Sequence, residues 1–462
     1  MIGFPRSHDR RSERAAIVLL FLVLLAGHAG VASGARLHAT LLRSSPAAKS
    51  RLAVAPDTIR LVFSEQVVPE LSQISIVGTD GRSISLKVAN DPHDVHTLVS
   101  RVAVALGSGT FKVVWRVLSA DGHPVGGNYE FTVAQTADPT LSTAGTTGPA
   151  VPTTSLPVDS MSTHGHTGNG PEEKPVPILA SLLRGLGLGL LMAGVGVLFF
   201  GLTSRDHRHL AARTLTSRSI TGGAVLLVIH AVLWMKHIAP NGALSGAFVG
   251  SLLGSFVGRV EAARTALALL AFLAIVVARR RKAALVLGVA CIVVSGAIGH
   301  PAAIDPSLAV PAKVVHLIAA SVWLGGLIWL VWLARCDDAA CRLEARRVSS
   351  MALIAVILIA ASGLVQAVLF LSTPSDLIHT TYGKLVLAKI IGLALLVGYG
   401  AYNRLGLLPA IDAVEGPRRL SRSVRQEIVL VTALILIGGF LAYVPTPPVS
   451  PALTAGTTGS IG

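Results

Sequence analysis

The sequence predicts two different folds in one chain: a small all-β sandwich or barrel of Greek-key type, followed by an all-α bundle of eight transmembrane helices. Three observations favour this division. The 462 residues are 52% hydrophobic and only 14% charged, which is more apolar than a soluble globular protein. Short alternating segments occupy residues 36–134, and apolar runs of about 20 residues follow Pro175.

The first 35 residues have the layout of a secretory signal peptide. Four arginines precede the apolar run AAIVLLFLVLLAG, and the small residues of VASGA follow it. Cleavage after Ser33-Gly34-Ala35 would expose Arg36-Leu37-His38 as the new N-terminus. An uncleaved anchor helix is the alternative, and in both cases we expect the following residues to be exported.

Residues 36–134 show the period-two alternation of β-strands with one buried face. The segment FKVVWRV places Phe111, Val113, Trp115 and Val117 on one side. Several such segments, separated by Gly, Pro, Asn and Asp, are typical of a small sandwich or barrel. Because all three cysteines come after this domain, it has no disulfide and must depend on packing.

A low-complexity stretch rich in Thr, Ser, Gly and Pro covers residues 135–175 and predicts a flexible linker. The membrane domain is expected at 176–447, and a disordered tail at 448–462. The eight predicted membrane segments cover residues 177–202, 219–238, 257–278, 283–300, 312–334, 348–371, 383–402 and 427–445.

The charges of the loops predict the orientation of the bundle. Loops after the odd-numbered segments carry clusters of Arg and Lys, whereas the opposite loops hold few. Since Lys and Arg concentrate in cytoplasmic loops, we expect the β domain and the C-terminal tail to lie outside, with the lipid bilayer as a partner. The net charge of +15 follows from these loops. No basic stripe with interleaved aromatic residues occurs, so no nucleic-acid partner is expected.

The stretch SADGHPVGGNYEF holds the strongest local candidate for a metal site. Asp121 and His123 share one face of an extended segment, because side chains i and i+2 point the same way. A carboxylate and an imidazole are ligands suited to Cu(II) or Zn(II), and Pro124 fixes the turn that presents them. A surface Asp-x-His without a metal is the alternative for this motif taken alone.

Three separated motifs give this pair a context: HATLLRSSPA, LVFSE and GTFKVVWRVLSADGHPVGG. Their order and spacing resemble CopC, the periplasmic copper-binding family of bacterial copper handling, over nearly the whole β domain. The resemblance implies an Ig-like sandwich. It also implies copper ligands at His38, Asp121 and His123, with Glu65 of the LVFSE motif as a weaker candidate.

The cleavage site of the signal peptide decides which coordination geometry is expected at His38. An N-terminal His of the CopC type binds through its amine and imidazole, which requires cleavage after Leu37. Cleavage after Ala35 makes His38 the third residue, where an amine, two amides and an imidazole form a square-planar set that Cu(II) favours. No Met occurs between Met1 and Met161. The Met-rich Cu(I) site of some CopC members is therefore absent, and one Cu(II)-selective site is expected.

The membrane half has a resemblance of its own. The motifs HLIAASVWLGGL, SGLVQAVLFLSTPSDL, TTYGKLVLAKI and GAYNRLGLLP look like CopD, the inner-membrane partner. A CopC module ahead of a CopD module is similar to copper uptake proteins of the YcnJ type. The resemblance implies copper import across the bacterial cytoplasmic membrane without an enzymatic step. Extracytoplasmic sequestration for copper resistance, and a haem or redox protein that reduces Cu(II), are the alternatives.

Polar side chains inside the apolar runs are the candidates for a copper path, because ionisable groups in a bilayer are costly and face a pathway or each other. They are His230, Met235 and His237 in the second segment, His300 at the end of the fourth, and His316 in the fifth. Imidazole suits both copper oxidation states, and thioether favours Cu(I). A packing or interfacial role is the alternative for each His.

Two smaller clusters could also handle copper. Met161, His164 and His166 in the linker could pass the ion between the modules, with polar filler as the alternative. Cys336 and Cys341 could receive Cu(I) as thiolates, with an unliganded reduced pair as the alternative.

Two charged residues within apolar runs, Arg184 and Glu427, are expected to have structural roles. Arg184 lies deep enough to need a partner, which the sequence does not identify. No nucleotide fingerprint, phosphate loop or transport-ATPase motif is present, so ATP-driven pumping is not expected. The oligomeric state is left open.

Overall fold

The structure is a computed structural model. It describes residues 39–119, 122, 124–134, 178–204, 212–239, 242–301, 305–444 and 446–447. The predicted signal peptide, linker and tail lie outside these residues.

The described part of the N-terminal domain is a β-sandwich, as predicted. Its strands are β1 (Leu41–Ser45), β2 (Arg51–Leu52), β3 (Thr58–Phe63), β4 (Val67–Val77), β5 (Ser83–Leu86), β6 (Val88–Asp91), β7 (Asp94–Arg101), β8 (Gly109–Ser119) and β9 (Pro124–Val133). One sheet has the order β1-β3-β7-β6 and the other β2-β9-β8-β4-β5. Neighbouring strands are antiparallel except β2 and β9, which are parallel.

The sandwich core forms from the alternating apolar residues of both sheets. Phe111, Val113, Trp115 and Val117 of β8 are all buried, as their spacing predicts. Trp115 packs edge-on against Phe63 of the opposite sheet, with ring centroids 5.2 Å apart. Burying each large apolar side chain contributes about 1.5–3 kcal/mol, which supplies the stability that a domain without disulfides requires.

The C-terminal domain is helical throughout its described residues. Its helices are α1 (Ile178–Thr203), α2 (Ala212–Ile238), α3 (Gly246–Gly254), α4 (Phe256–Phe272), α5 (Arg281–Gly296), α6 (Pro306–Cys336), α7 (Asp338–Phe370), α8 (Asp376–His379), α9 (Thr381–Tyr402) and α10 (Gly416–Leu441). Single π-helical turns extend α4 over Leu273–Val277 and α9 over Asn403–Leu407.

A helix occupies each of the eight predicted membrane segments, and seven of these helices are long and apolar enough to cross a bilayer. By length and composition, these spans are those of a multi-pass membrane protein. The remaining segment, the fourth, predicted at 283–300, forms the 16-residue helix α5. At 1.5 Å per residue, α5 is about 24 Å long, shorter than a hydrocarbon core of about 30 Å. The crossing by α5 therefore stays a prediction.

Side-chain caps fix where three membrane helices begin. Asp305 accepts hydrogen bonds from the backbone of Ser307 and Leu308 at the start of α6. Asp337 caps α7, and Thr380 caps α9. These caps satisfy backbone N–H groups that a helix start leaves unpaired.

Candidate functional site

Glu65, one of the predicted ligands of the β domain, lies between the end of β3 and the start of β4 and contacts the end of β8. Glu65 follows β3, and Ser119, the last residue of β8, donates a hydrogen bond from Oγ to Glu65 Oε2 at 2.8 Å. Val67, the first residue of β4, pairs with Ser119 in the sheet. The end of β8, two residues before Asp121, therefore lies beside the Glu65 carboxylate.

The first described residues are anchored at the same place. The backbone N–H of Thr40 donates to Ser64 Oγ at 2.9 Å, and the N–H of Ser64 donates to the carbonyl of Thr40 at 2.9 Å. Ala39 is fully buried. His38 lies outside the described residues, but the chain that immediately follows it is held beside Ser64 and Glu65.

The other two predicted ligands, Asp121 and His123, fall between β8 and β9 in sequence and also lie outside the described residues. Leu118 pairs with Pro124 at this end of the β8–β9 ladder. Gly122, between the two predicted ligands, has a φ of 92°. Side chains are rarely tolerated in that region of backbone space. The glycine of Asp-Gly-His is thus required by the turn.

Gly127 of β9 packs closely against Trp115 of β8, its partner in the β8–β9 ladder. A Cβ at Gly127 would lie 2.6 Å from Cζ2 of the Trp115 ring. Glycine therefore lets the indole lie directly against β9. The turn is presented by a rigid, packed hairpin rather than by a loose loop.

In the membrane domain, His230 belongs to a buried network of ionisable groups. Its Nδ1 lies 2.9 Å from Arg264 Nη2 and 3.3 Å from Glu261 Oε1. Arg264 and Glu261, one turn apart on α4, form an ion pair. On the other side of the ring, Nε2 lies 2.6 Å from Tyr443 Oη. Since both ring nitrogens are hydrogen-bonded, a copper ion could bind His230 only after one of these bonds breaks.

Tyr443 also provides the partner that Arg184 requires. The Arg184 guanidinium carbon of α1 lies 5.8 Å from the centroid of the Tyr443 ring, in the range of a cation–π contact. The expectation that Arg184 needs a partner is therefore met by the Tyr443 ring.

His300 is packed against the same C-terminal segment. Its Nε2 donates to the carbonyl of Val444 at 2.9 Å. The ring makes edge contacts with Tyr382 and Phe370, at centroid distances of 5.9 and 6.4 Å. His230 and His300, predicted separately from two helices, thus bind consecutive residues after α10.

His316 on α6 contacts α7 through a hydrogen bond of 3.1 Å between Nδ1 and Ser362 Oγ. The Ser362 hydroxyl lies 2.6 Å from the carbonyl of Leu358 and donates its proton there. Ser362 Oγ must therefore accept from His316 Nδ1–H, which places the ring lone pair on Nε2. This tautomer presents Nε2 as a metal-ligating nitrogen. Lys313, one turn earlier on α6, donates from Nζ to the carbonyl of Ile298 at 2.5 Å.

Met235 and His237 lie half-buried in the last turn of α2, beyond His230. Within the described ranges, no cluster of three or more His, Cys, Asp or Glu side chains is spaced to hold a metal ion. The predicted residues of the copper path therefore do not form one ready-made site. His38, Asp121 and His123 lie outside the described residues, so this statement does not cover them.

The two cysteines at the junction of α6 and α7 have different surroundings. Cys336 is exposed, whereas Cys341 is buried. Met161, His164 and His166 lie outside the described residues. The structure therefore gives no support to a shared thiolate site, and the linker hypothesis stays a prediction.

Sequence reasoning missed Glu261, Arg264 and Tyr443, which hold His230 in place. The signal for two of them was present: an acid and a base three residues apart within an apolar run, which bilayer energetics single out. Nothing in the sequence indicates that Tyr443, after the last helix, lies beside residues of α1, α2 and α4.

Comparison with known proteins bears on both halves. The CopC domain model matches residues 41–134, and the model described as Copper resistance protein D, CopD, matches residues 342–441. Copper resistance protein C of Escherichia coli is 38% identical over 112 residues, covering 22% of this chain and 87% of that protein. The chain belongs to the CopC family. It carries a CopD domain as well, so the resemblances drawn from the motifs are confirmed.

One relative spans both halves. Copper transport protein CutJ of Bacillus subtilis (strain 168) is 24% identical over 466 residues, covering 95% of this chain and 79% of that protein. The crystal structure of CopC from Methylosinus trichosporium OB3b aligns with 36% identity and a TM-score of 0.21, covering 22% of this chain and 98% of that chain. His230, His300 and His316 all precede the residues that match the CopD model, whereas Ser362 lies within them.

Proposed function

We propose that this chain imports copper across the bacterial cytoplasmic membrane. The CopC domain binds Cu(II) outside the membrane and delivers copper to the helical domain, which carries it inward without a catalytic step. The observation that carries the proposal is the presence of a CopC and a CopD domain in one chain. A relative named as a copper transport protein that covers 95% of the chain supports it.

The proposed Cu(II) site consists of His38, Asp121 and His123, with Glu65 beside them. Support comes from the chain neighbours of these ligands. Thr40 is bonded to Ser64, which precedes Glu65, and Ser119 is bonded to Glu65 itself. Nitrogen and carboxylate ligands suit Cu(II), and both alternatives for the N-terminus use His38.

Within the bundle, His316 is the best-supported copper ligand, because its Nδ1–H donates to Ser362 and leaves Nε2 as the basic nitrogen. His300 is the next candidate, and its Nε2 donates to the carbonyl of Val444. Met235 and His237 belong to the outward-facing entry of the proposed path. His230 could bind copper only after one of its two hydrogen bonds breaks. Imidazole ligands accept Cu(I) as well as Cu(II).

The proposed orientation depends on α5 crossing the membrane. If α5 did not cross, the Arg-rich segment at the junction of α6 and α7 would lie outside, against the tendency of basic residues to remain in the cytoplasm. An outward CopC domain and eight crossings satisfy the loop charges together. The short α5 can cross if the bilayer thins locally, at a modest cost per ångström of mismatch.

Two other functions remain as outcomes of the test. Sequestration outside the membrane would use the same CopC site, and relatives named as copper resistance proteins favour it. A haem or redox protein would need imidazole nitrogens free to bind iron. His230 does not offer one in this structure.

The test is the time course of cellular copper, measured by mass spectrometry, in cells carrying the wild type, His38→Ala or His316→Ala. Import predicts that the wild type accumulates copper and that both variants accumulate less. The exposed His379, at the end of α8, provides a matched control as His379→Ala. Lower cytosolic copper with the wild type, unaffected by His316→Ala, would establish sequestration instead.

A further inference from the structure

A basic cluster lies at one end of the bundle, where α5 and α2 begin. Its members are Arg213, Arg279, Arg280, Arg281 and Lys282. Four of them follow one another in sequence, and Arg213, the second residue of α2, lies close enough to Arg281 for their charges to interact. Arg281 is half-buried and the other four are exposed. The cluster therefore gathers five positive charges at the start of two helices.

The described residues supply no acid to neutralise the basic cluster. None of the ion pairs among them includes a member of the cluster. Arg281 Nη2 is buried and has no hydrogen-bond partner there either. Because a half-buried cation is costly without a partner, and Arg213 repels Arg281, an anion from outside the chain would stabilise this end of the bundle.

The helix ends increase this excess of positive charge. The N-terminus of a helix carries about half a positive charge, so acidic residues are favoured in its first turn. The first turns of α2 and α5 hold no acid, and both contain members of the basic cluster instead. Arg280, the N-cap residue of α5, makes no side-chain hydrogen bond to the first N–H groups of that helix. Two positive helix ends thus add to the five cations, an arrangement that favours an anion such as phosphate.

The surface next to the basic cluster is apolar and exposed. Val277, two residues before Arg279, is 68% exposed, and Val286 on α5 is 67% exposed. Lys282 and Val286 are four residues apart on α5, so they lie on the same face, one turn apart. An anion bound at Lys282 therefore borders apolar surface. This arrangement favours a phosphate that carries alkyl chains over a free phosphate.

The basic cluster also lies at the depth of the lipid headgroups. The membrane span Phe256–Val277 ends two residues before Arg279, so the cluster lies just beyond the hydrocarbon core. Groups of about four to eight Lys and Arg beside a membrane helix are typical of binding sites for anionic lipids.

We propose that the basic cluster binds the phosphate of an anionic phospholipid, whose alkyl chains lie along the exposed surface of Val277 and Val286. The exposed side chains of Arg213, Arg279 and Lys282 donate to the phosphate oxygens. The lipid supplies the negative charge that the described residues lack. No member of the cluster is a predicted copper ligand, so the proposal does not depend on copper transport.

The test is native mass spectrometry of the full-length protein in detergent, with phosphatidylglycerol, phosphatidylcholine or glycerol phosphate added. The two lipids share their alkyl chains, but only phosphatidylglycerol has a net negative charge, and glycerol phosphate has the phosphate without the chains. The wild type is expected to bind phosphatidylglycerol most tightly. Equal binding of the two lipids, binding of glycerol phosphate as tight as that of phosphatidylglycerol, or no binding of phosphatidylglycerol would overturn the proposal.

The variant Arg279→Gly removes one cation without straining the fold. Arg279 has a φ of 55°, a backbone region that glycine adopts more readily than arginine. The variant should therefore fold at least as well as the wild type. Its affinity for the first bound phosphatidylglycerol should fall about fivefold, which corresponds to about 1 kcal/mol for each basic residue near an anionic lipid. Unchanged affinity would contradict the proposal.

Two further variants locate the effect. Arg213→Gln should also lose about fivefold in affinity, because α2 contributes to the same site; unchanged affinity would exclude α2 from it. Arg419→Gln is the matched control, since it removes the same charge from an exposed arginine at the start of α10, where Arg419 pairs with Glu415. If Arg419→Gln lost as much affinity as Arg279→Gly, binding would follow net charge alone and the proposed site would be contradicted.

Discussion

The two halves of the molecule place their polar chemistry in opposite positions relative to their cores. The sandwich core is made of apolar side chains, and Glu65, the candidate ligand among the described residues, follows the end of β3. The bundle instead buries ionisable groups among its helices, with Arg264 1% and Glu261 5% exposed. A strand-end site can be altered without disturbing the core. In the bundle, two of the candidate residues, His230 and His300, are themselves buried in the core.

This difference determines how variants should behave in the two domains. Replacing Asp121 or His123, the proposed ligands of the β domain, is expected to remove Cu(II) binding and to leave the described core intact. Removing one member of the buried network leaves its partner charged in a low-dielectric setting, which is far more costly.

The largest effect is expected for Arg264→Met. Glu261 then loses its ion-pair partner within the span, which costs about 3–5 kcal/mol for a buried pair broken on one side. The free energy of unfolding of the purified protein, measured by denaturation in mixed micelles, should fall by that amount. Adding Glu261→Gln should recover much of the loss, because no unpaired charge remains. Equal stability of Arg264→Met and the wild type would show that the ion pair makes no net contribution to stability.

A smaller loss is expected in the sandwich for Gly127→Ala. The new methyl group would meet the Trp115 ring at 2.6 Å, and overpacking of this kind costs about 1–3 kcal/mol. Calorimetry of the β-domain transition measures it. Gly107→Ala is the control, since a Cβ there meets no atom within 4 Å. A similar shift in both variants would contradict the packing role given to Gly127.

Ser362→Ala should cost about 1 kcal/mol in stability, because one hydrogen bond between α6 and α7 is lost. It should also lower copper uptake, by less than His316→Ala does, because the His316 ring keeps its nitrogen but loses the bond that fixes its tautomer. Thr432→Ala serves as the control, since that hydroxyl bonds to its own helix at Ile428. If Thr432→Ala reduced copper uptake as much as Ser362→Ala does, the role given to Ser362 would be contradicted.

The smallest effect is a pH dependence in the sandwich. The pKa of Asp91 is lowered because the carboxylate accepts from the backbone N–H of His93 and pairs with Arg60. A folded pKa below the unfolded one gives stability that is full above about pH 4 and is lost as the pH falls through the folded pKa. On acidification from pH 7 to pH 3, the melting temperature of Asp91→Asn should therefore fall by less than that of the wild type. Asp80→Asn, on the exposed β4–β5 turn, should match the wild type.

Much of the fold follows from local patterns in the sequence. The alternation around Trp115 predicted a buried strand face, and apolar runs predicted the membrane helices, because both patterns depend on nearby residues. The helix α3, Gly246–Gly254, was missed. It is too short to cross a bilayer, and it falls between two predicted segments in sequence that no periodicity distinguished from a loop.

The candidate sites were less predictable, because they depend on contacts between distant residues. The pairing of Ser119 with Glu65 joins positions 54 residues apart, and Tyr443 meets His230 across 213 residues. A sequence can mark His230 as costly in a bilayer. It cannot reveal that both nitrogens are already bonded, which is the fact that moves His316 ahead of it as a copper ligand.

The most direct test of the central claim is the spin-resonance spectrum of Cu(II) bound to the full-length protein, comparing the wild type, His123→Ala and His96→Ala. His96 is an exposed imidazole of the same domain, hydrogen-bonded to Asp94. The account predicts nitrogen coupling in the wild type and in His96→Ala, with tight Cu(II) binding lost in His123→Ala. Undiminished nitrogen coupling in His123→Ala would contradict it.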